Sequence, residues 1–554
     1  MSIRKVKIIT KIKSLTFISL LSLLASNLAA QNSVNAQAAD SDWYQNGARA
    51  VEEASRRAYN NVPGAAKNII LFLGDGMGLS TVTAARIFAG QQQGFSGEEY
   101  SLSFEHFPWT GLVKTYNTDA QVPDSAGTMT AIMSGVKTRS GVIGIDGRPL
   151  RGSCESYMNT SGATLVSALE LAEISGKATG IVSTAKITHA TPAATYANSP
   201  DRNWESISNM PAEAKSMGCT DIARQLVEFE SRLESKVNAG NDHPNIDGID
   251  VAFGGGRNAF YSEDPASISG FAESARQGNR DDGRNLIDTW VNQDGRYIMD
   301  AEGFNNIDSN DSSNVLGLFE NSHMRYEANR NDDIGGEPSL TDMTVKAIEL
   351  LKNDDDGYFL MVEAGRIDHA HHANNAFNAL NETAELSRAV QAALNAVDTN
   401  DTLIIVTADH SHVMTMAGYP TRGNPILGKV IGNDNNGMPQ TELAGDRDGL
   451  PYTTLAYANG SGFDDNGNNT NADARNGPPA PGRHDLTNID TETPGYHQET
   501  LVGTFGETHS GEDVGVYAIG PGAHLLSGSI EQNVIFHVMN FAGDLENKAS
   551  QALE

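Results

Sequence analysis

Five short, uninterrupted apolar runs constrain this chain more than any other feature: Asn68–Leu73, Gly180–Ser183, Tyr358–Val362, Thr402–Thr407 and Val514–Ile519. Each is bounded by glycine or polar residues and reads as a strand buried on both faces. Amphipathic stretches predict helices between them at Ala163–Ser175, Leu340–Lys352 and Asn374–Val397. Strands alternating with helices predict a three-layer α/β/α fold with a central, mostly parallel sheet. A chain of 554 residues with 39% hydrophobic content has the size for one large domain with insertions. In such sheets ligands sit beyond the carboxyl ends of the strands. Chemistry-bearing residues recur there: Asp75 after the first run, Thr184–Thr191 after the second, Glu363 and Asp368 after the third, Asp409 and His410 after the fourth.

The first 38 residues stand apart from this pattern. Arg4, Lys5, Lys7, Lys11 and Lys13 precede the apolar run Leu15–Leu28 and a small-residue stretch ending Ala36-Gln37-Ala38. This reads as a secretory signal peptide cleaved between Ala29 and Ala38, since the apolar core falls short of the ~20 residues a bilayer span needs. The expectation is an exported, periplasmic or extracellular protein without a membrane anchor, its catalytic domain spanning 39–554. A net charge of −31 disfavours nucleic acid and anionic membranes as partners. Of the two cysteines, Cys154 and Cys219, an oxidising compartment allows one disulfide, and two buried thiols are the alternative. The stretch 423–499 is rich in Asn, Gly, Asp and Pro and reads as an insertion of long surface loops.

Candidate ligands of a metal are numerous. Asp75 lies between Gly74 and Gly76, which allow close approach of another group. Asp368, His369, His371 and His372 place four ionisable groups in five residues, and the Asp368/His372 spacing puts that pair on one helical face. Asp409 and His410 end the strongest strand, and His509 precedes the last one. Mixed carboxylates and imidazoles suit zinc, whereas an all-oxygen set suits magnesium or calcium. Paired metals clamp the attacking and leaving oxygens of an in-line displacement. Ser125, preceded by Asp124 at the start of a small-residue helix, is either a helix cap or a nucleophile set among amide donors.

Together, seven motifs in order resemble the alkaline phosphatase family, in wording nearest its animal-type branch. They are Gly-Asp-Gly-Met-Gly at 74–78, Pro-Asp-Ser-Ala at 123–126, Thr-His-Ala-Thr-Pro-Ala at 188–193, Asp-Arg-Asn-Trp at 201–204, the run from Val362 to His372, Thr-Ala-Asp-His-Ser-His at 407–412 and Glu-Thr-His-Ser-Gly-Glu-Asp at 507–513. The resemblance implies hydrolysis of phosphate monoesters at alkaline pH through a phosphoserine at Ser125, with Arg202 gripping two phosphate oxygens. It implies one zinc held by Asp368, His372 and His509, a second by Asp75, Asp409 and His410, and a magnesium by Asp75, Thr191 and Glu363. It places His369 near the bound phosphate and His189 near the third metal, and it departs at both positions from the bacterial version, which has Lys and Asp there. It further implies a Cys154–Cys219 disulfide, a homodimer, and a loop-rich crown formed by 423–499. Glu320 and Glu337 fall where animal-type members hold calcium, with Glu337 standing where Asp is expected.

A phosphodiesterase of the same superfamily generally uses Thr as nucleophile, which Ser125, Arg202 and the Thr191/Glu363 pair oppose. A non-catalytic, metal-binding relic would not keep every ligand together with the nucleophile.

Overall fold

A computed structural model describes residues 66–554 apart from 241–242, 263–277 and 310–312, so the signal-peptide reading of 1–38 lies outside the described residues. The centre is a ten-stranded sheet. Its strands are β1 (Asn68–Gly74), β2 (Trp109–Lys114), β3 (Ala178–Lys186), β4 (Val251–Gly255), β5 (Arg296–Ile298), β6 (Val315–Leu318), β7 (Tyr358–Ala364), β8 (Thr402–Ala408), β9 (Val514–Ile519) and β10 (Gly528–Glu531). They lie in the order β10-β2-β9-β8-β1-β7-β3-β4-β6-β5. Only β9 runs against its neighbours β8 and β2. The remaining pairs are parallel.

The apolar runs become strands because both faces are covered. Ile69 to Leu73, Phe359 to Val362 and Leu403 to Val406 are fully buried. Burial of each such large side chain contributes about 1.5–3 kcal/mol. One helical layer holds α1 (Leu79–Gln92), α4 (Leu340–Leu351), α5 (Arg366–His372) and α6 (Ala376–Ala396), with α1, α4 and α5 packed on α6 and the layer resting on β1, β3 and β7. The other holds α2 (Ser125–Ser134), the helix Ala168–Ile174, α3 (Ala190–Tyr196) and α7 (Val534–Gly543). The helix expected from Ala163 starts later because Ser167 and Glu170 form a capping box that fixes its first turn at Ala168.

Cys154 and Cys219 are joined in a disulfide across a sequence separation of 65. Between β8 and β9, the segment 423–499 is mostly turns and extended chain. It supplies Leu455–Gly460, the middle strand of a separate three-stranded sheet with Met414–Met416 and Thr500–Gly503. Among the described residues no helix is long and apolar enough to cross a membrane.

Helix α6 carries an acid on its buried side. Glu382 is 2% exposed and accepts the Glu327 backbone N–H at 2.6 Å. Burial pushes its pKa up to about 8, opposed by the Glu327 amide and Arg366 and aided by the charge of the Glu327 carboxylate. A folded-state pKa above the unfolded value contributes stability below the unfolded pKa that is lost as pH rises through the folded one. Glu382→Gln, which resembles the protonated acid, is therefore expected to match the parent Tm only near about pH 4, to exceed it increasingly as pH rises toward about 8, and to keep the full margin above about pH 9 in thermal scans.

Candidate functional site

The sheet register gathers the candidate residues. Gly74 of β1 is level with Ala364 of β7 and Ala408 of β8, and Ser183 of β3 is level with Glu363. Asp75, Glu363, Asp409 and His410 therefore emerge at one edge, and each is fully buried. Gly76 (φ +72) turns the chain after Asp75, and a Cβ there would meet the His412 ring at 2.4 Å. This glycine is required both by its backbone angle and by that approach.

Ser125 opens α2 across this edge. The cap of α2 is Asp124, whose carboxylate accepts Gly127 N at 3.2 Å. Relieved of capping, the Ser125 hydroxyl lies 3.1 Å from His410 Nε2 and 3.5 Å from Asp75 Oδ1. Asp124 also receives both an Arg202 Nη1 bond at 3.2 Å and the Gly141 amide at 2.9 Å. Arg202 Nη2 reaches His189 Nε2 at 3.1 Å. Burial alone would weaken the guanidinium's charge, but Asp124, Asp75 and Asp368 hold its pKa above the ordinary value.

Three groups of electron-pair donors converge beside Ser125. In the first, Asp368 Oδ1 is 3.3 Å from His372 Nε2 and 3.3 Å from His509 Nε2. The two Nε2 atoms are themselves 3.1 Å apart. His372 Nδ1 faces the Glu507 carbonyl at 2.6 Å and His509 Nδ1 the Pro123 carbonyl at 2.8 Å. Carbonyls only accept, so each ring carries its proton on Nδ1, and in the neutral rings both Nε2 lone pairs aim at the point Asp368 faces. That arrangement is repulsive until a cation fills it.

In the second group, His410 Nε2 lies 3.4 Å from Asp75 Oδ1 and 3.3 Å from Asp409 Oδ2. The third brings Asp75, Glu363 and His189 within reach of one ion. Buried here without hydrogen-bond partners are Asp75 Oδ2, Glu363 Oε1 and Thr191 Oγ1, an oxygen set suited to a hard cation. Burial and the charges of Asp409, Asp368 and Glu363 raise the Asp75 pKa well above the carboxylate range. Burial, aided by Asp409 and opposed by the Ser183 hydroxyl, pushes Glu363 up to about 7. So many buried acids around one point fit a metal-binding site.

Of the four ionisable groups at 368–372, only Asp368 and His372 meet. His371 points away, bonded to Tyr457 Oη at 2.8 Å and Thr81 Oγ1 at 3.0 Å. His369 accepts from Arg366 Nη1 at 2.9 Å and packs 5.5 Å from the His189 ring.

Three participants escape sequence reading. His412 bridges Glu507 at 2.5 Å and Asp368 at 2.8 Å. Although burial opposes its charge, Glu507 and Asp368 push its pKa up to about 10, so the imidazolium fixes the orientation of Asp368. The third is His323, whose Nδ1 accepts the Lys186 amide at 3.1 Å and whose ring stands 4.2 Å from that of His369. The only sequence hint is the spacing of His412 two residues after His410. Farther off, Glu337 accepts the Arg325 amide at 2.8 Å, and Glu320 and Asp333 lie 3.6 and 3.5 Å from Arg325 Nε.

The sequence model of the family described as alkaline phosphatase matches residues 66–545. The chain belongs to the alkaline phosphatase family. It is 40% identical over 482 residues to the tissue-nonspecific isozyme of Homo sapiens, covering 86% of this chain and 83% of the relative. It is also 40% identical to the alkaline phosphatase of Gadus morhua, covering 86% and 91%. Solved alkaline phosphatases share the fold at 22% identity. That of the Antarctic bacterium TAB5 has a TM-score of 0.54 over 87% of this chain and 99% of its own. That of Thermus thermophilus has 0.58 over 89% and 96%. As an alkaline phosphatase, the protein is a metal-dependent phosphomonoesterase.

Proposed function

We propose that this alkaline phosphatase hydrolyses phosphate monoesters in two displacements through a phosphoserine at Ser125. The observation that carries the reading is an uncapped hydroxyl at the start of α2, 3.1 Å from His410 and 3.5 Å from Asp75, with Arg202 held beside it by Asp124. The planar guanidinium donates to two non-bridging phosphate oxygens while the first amides of α2 face the same charge. Ser125 Oγ attacks phosphorus in line, losing its proton as its P–O bond forms, while the ester P–O bond breaks and the leaving alkoxide takes up a proton and departs as the alcohol. Water then attacks the phosphoserine on the opposite face, restoring Ser125 and releasing inorganic phosphate.

The donor sets support zinc at Asp368, His372 and His509, zinc at Asp75, Asp409 and His410, and magnesium at Asp75, Thr191 and Glu363. When bound, such ions supply charge that stabilises the attacking and leaving oxygens. His412 holds Asp368 in place, Asp124 and His189 aim Arg202, and His369 lines the phosphate side of the pocket.

Arg202→Ala is expected to remove charge-assisted bonds of about 1.5–3 kcal/mol. This raises KM for a monoester and Ki for phosphate roughly ten- to a hundredfold. Relative kcat/KM for a monoester and a diester separates the reading from that of a phosphodiesterase, and diester preference in the parent enzyme would refute it. Export fits the Cys154–Cys219 disulfide, which persists in oxidising compartments. The homodimer implied by the resemblance is checked by sedimentation velocity.

A further inference from the structure

Outside the catalytic edge, a cavity of about 550 Å³ adjoins the Cys154–Cys219 disulfide. Its volume is in the range of small-molecule sites. In a chain with 70 acidic and 39 basic side chains, its lining contains Arg232 and Lys236 and no carboxylate. Both cations come from one face of the helix Phe229–Val237, at i,i+4 spacing.

Their circumstances differ. Lys236 is neutralised by Glu170, at 2.8 and 2.7 Å from its two oxygens, and spends its third donor on Asn198 Oδ1 at 3.0 Å. Arg232 donates through Nη2 alone, to the Tyr196 carbonyl at 2.9 Å and Asn198 Oδ1 at 3.5 Å. Its Nε and Nη1 make no hydrogen bond and it forms no ion pair among the described residues. A half-buried guanidinium with spare donors in a carboxylate-free cavity is complementary to a planar or tetrahedral oxyanion. Hydroxyls of Tyr157, Thr220 and Ser235 share the wall, which suits an anion carried on a polyhydroxylated body.

We propose that this cavity is a second, non-catalytic anion site that takes a tetrahedral oxyanion, free or as the ester of a small sugar, with Arg232 as its anchor. Calorimetric titration of the metal-loaded enzyme with glucose 6-sulfate and, separately, with inorganic sulfate tests it, since neither probe is a phosphate monoester. Saturable binding is expected, retained by Arg202→Ala and weakened at least tenfold by Arg232→Gln. Ser235→Glu adds a carboxylate at an exposed cavity residue one helical turn from Arg232, and it is expected to weaken binding equally while leaving Tm and monoester kcat/KM unchanged. Tighter binding of the sugar ester identifies a carbohydrate-borne anion, and equal binding identifies the free ion. Absence of saturable heat with both probes, or binding abolished by Arg202→Ala and untouched by Ser235→Glu, overturns the proposal.

Discussion

Ser125→Ala is expected to lower kcat for a phosphate monoester on the order of 10³-fold or more, the scale on which loss of a nucleophile acts, while leaving the fold intact. The second half of that statement follows from the cap. A serine that caps a helix costs about 1 kcal/mol when replaced by alanine, but here Asp124 caps α2 and the Ser125 hydroxyl faces His410 and Asp75 instead. Tm should therefore stay within the small scatter of a neutral change while turnover collapses. Neither Thr128 nor Thr191 is placed to substitute: Thr128 donates to the Asp124 and Ser125 carbonyls at 2.9 and 3.1 Å and reaches Asp409 Oδ2 at 3.4 Å, and Thr191 lies in the Glu363 group. Steady-state kinetics together with thermal scans check both halves. A variant that keeps the parent rate, or one that loses stability in proportion to activity, would return Ser125 to a structural role.

Metal removal has the second large effect. Asp75, Asp368, Asp409 and Glu363 are each no more than 4% exposed, and burial together with neighbouring carboxylates raises the proton affinity of Asp75, Asp409 and Glu363. Exhaustive chelation is expected to abolish monoester turnover and lower Tm, and zinc with magnesium should restore both. At a thousandfold excess over its Kd, each ion that binds only the folded state contributes about 4 kcal/mol. Elemental analysis of the reconstituted enzyme is expected to return two zinc and one magnesium per chain. Full activity in chelated protein would exclude the assignment of these residues as ligands.

The core was legible where both faces of a strand are buried, because β1, β7 and β8 then read as unbroken apolar runs. It was not legible at β4 and β6, whose glycines shorten Val-Ala-Phe-Gly-Gly and Val-Leu-Gly-Leu below any clear period, nor at the alternating β2 or the short outer strands β5 and β10. At the site, residue type and position after a strand were enough to mark Asp75, Glu363, Asp409 and His410. Whether Ser125 or Asp124 caps α2 could not be decided from sequence, since both are favourable caps. His412 and Glu507 stand 95 residues apart and acquire their roles only by meeting across the fold. His323 had no local signal at all, being a single imidazole in a loop until the chain brings it to His369.

The covalent step is measured most directly by acid quenching of the metal-loaded enzyme during turnover of a monoester labelled in its phosphate, followed by peptide mapping. Acid-stable label is expected on the peptide containing Ser125, localised to that residue and absent from Ser125→Ala. Label on Thr128 or Thr191, or full turnover with no labelled peptide at any quench time, would contradict it.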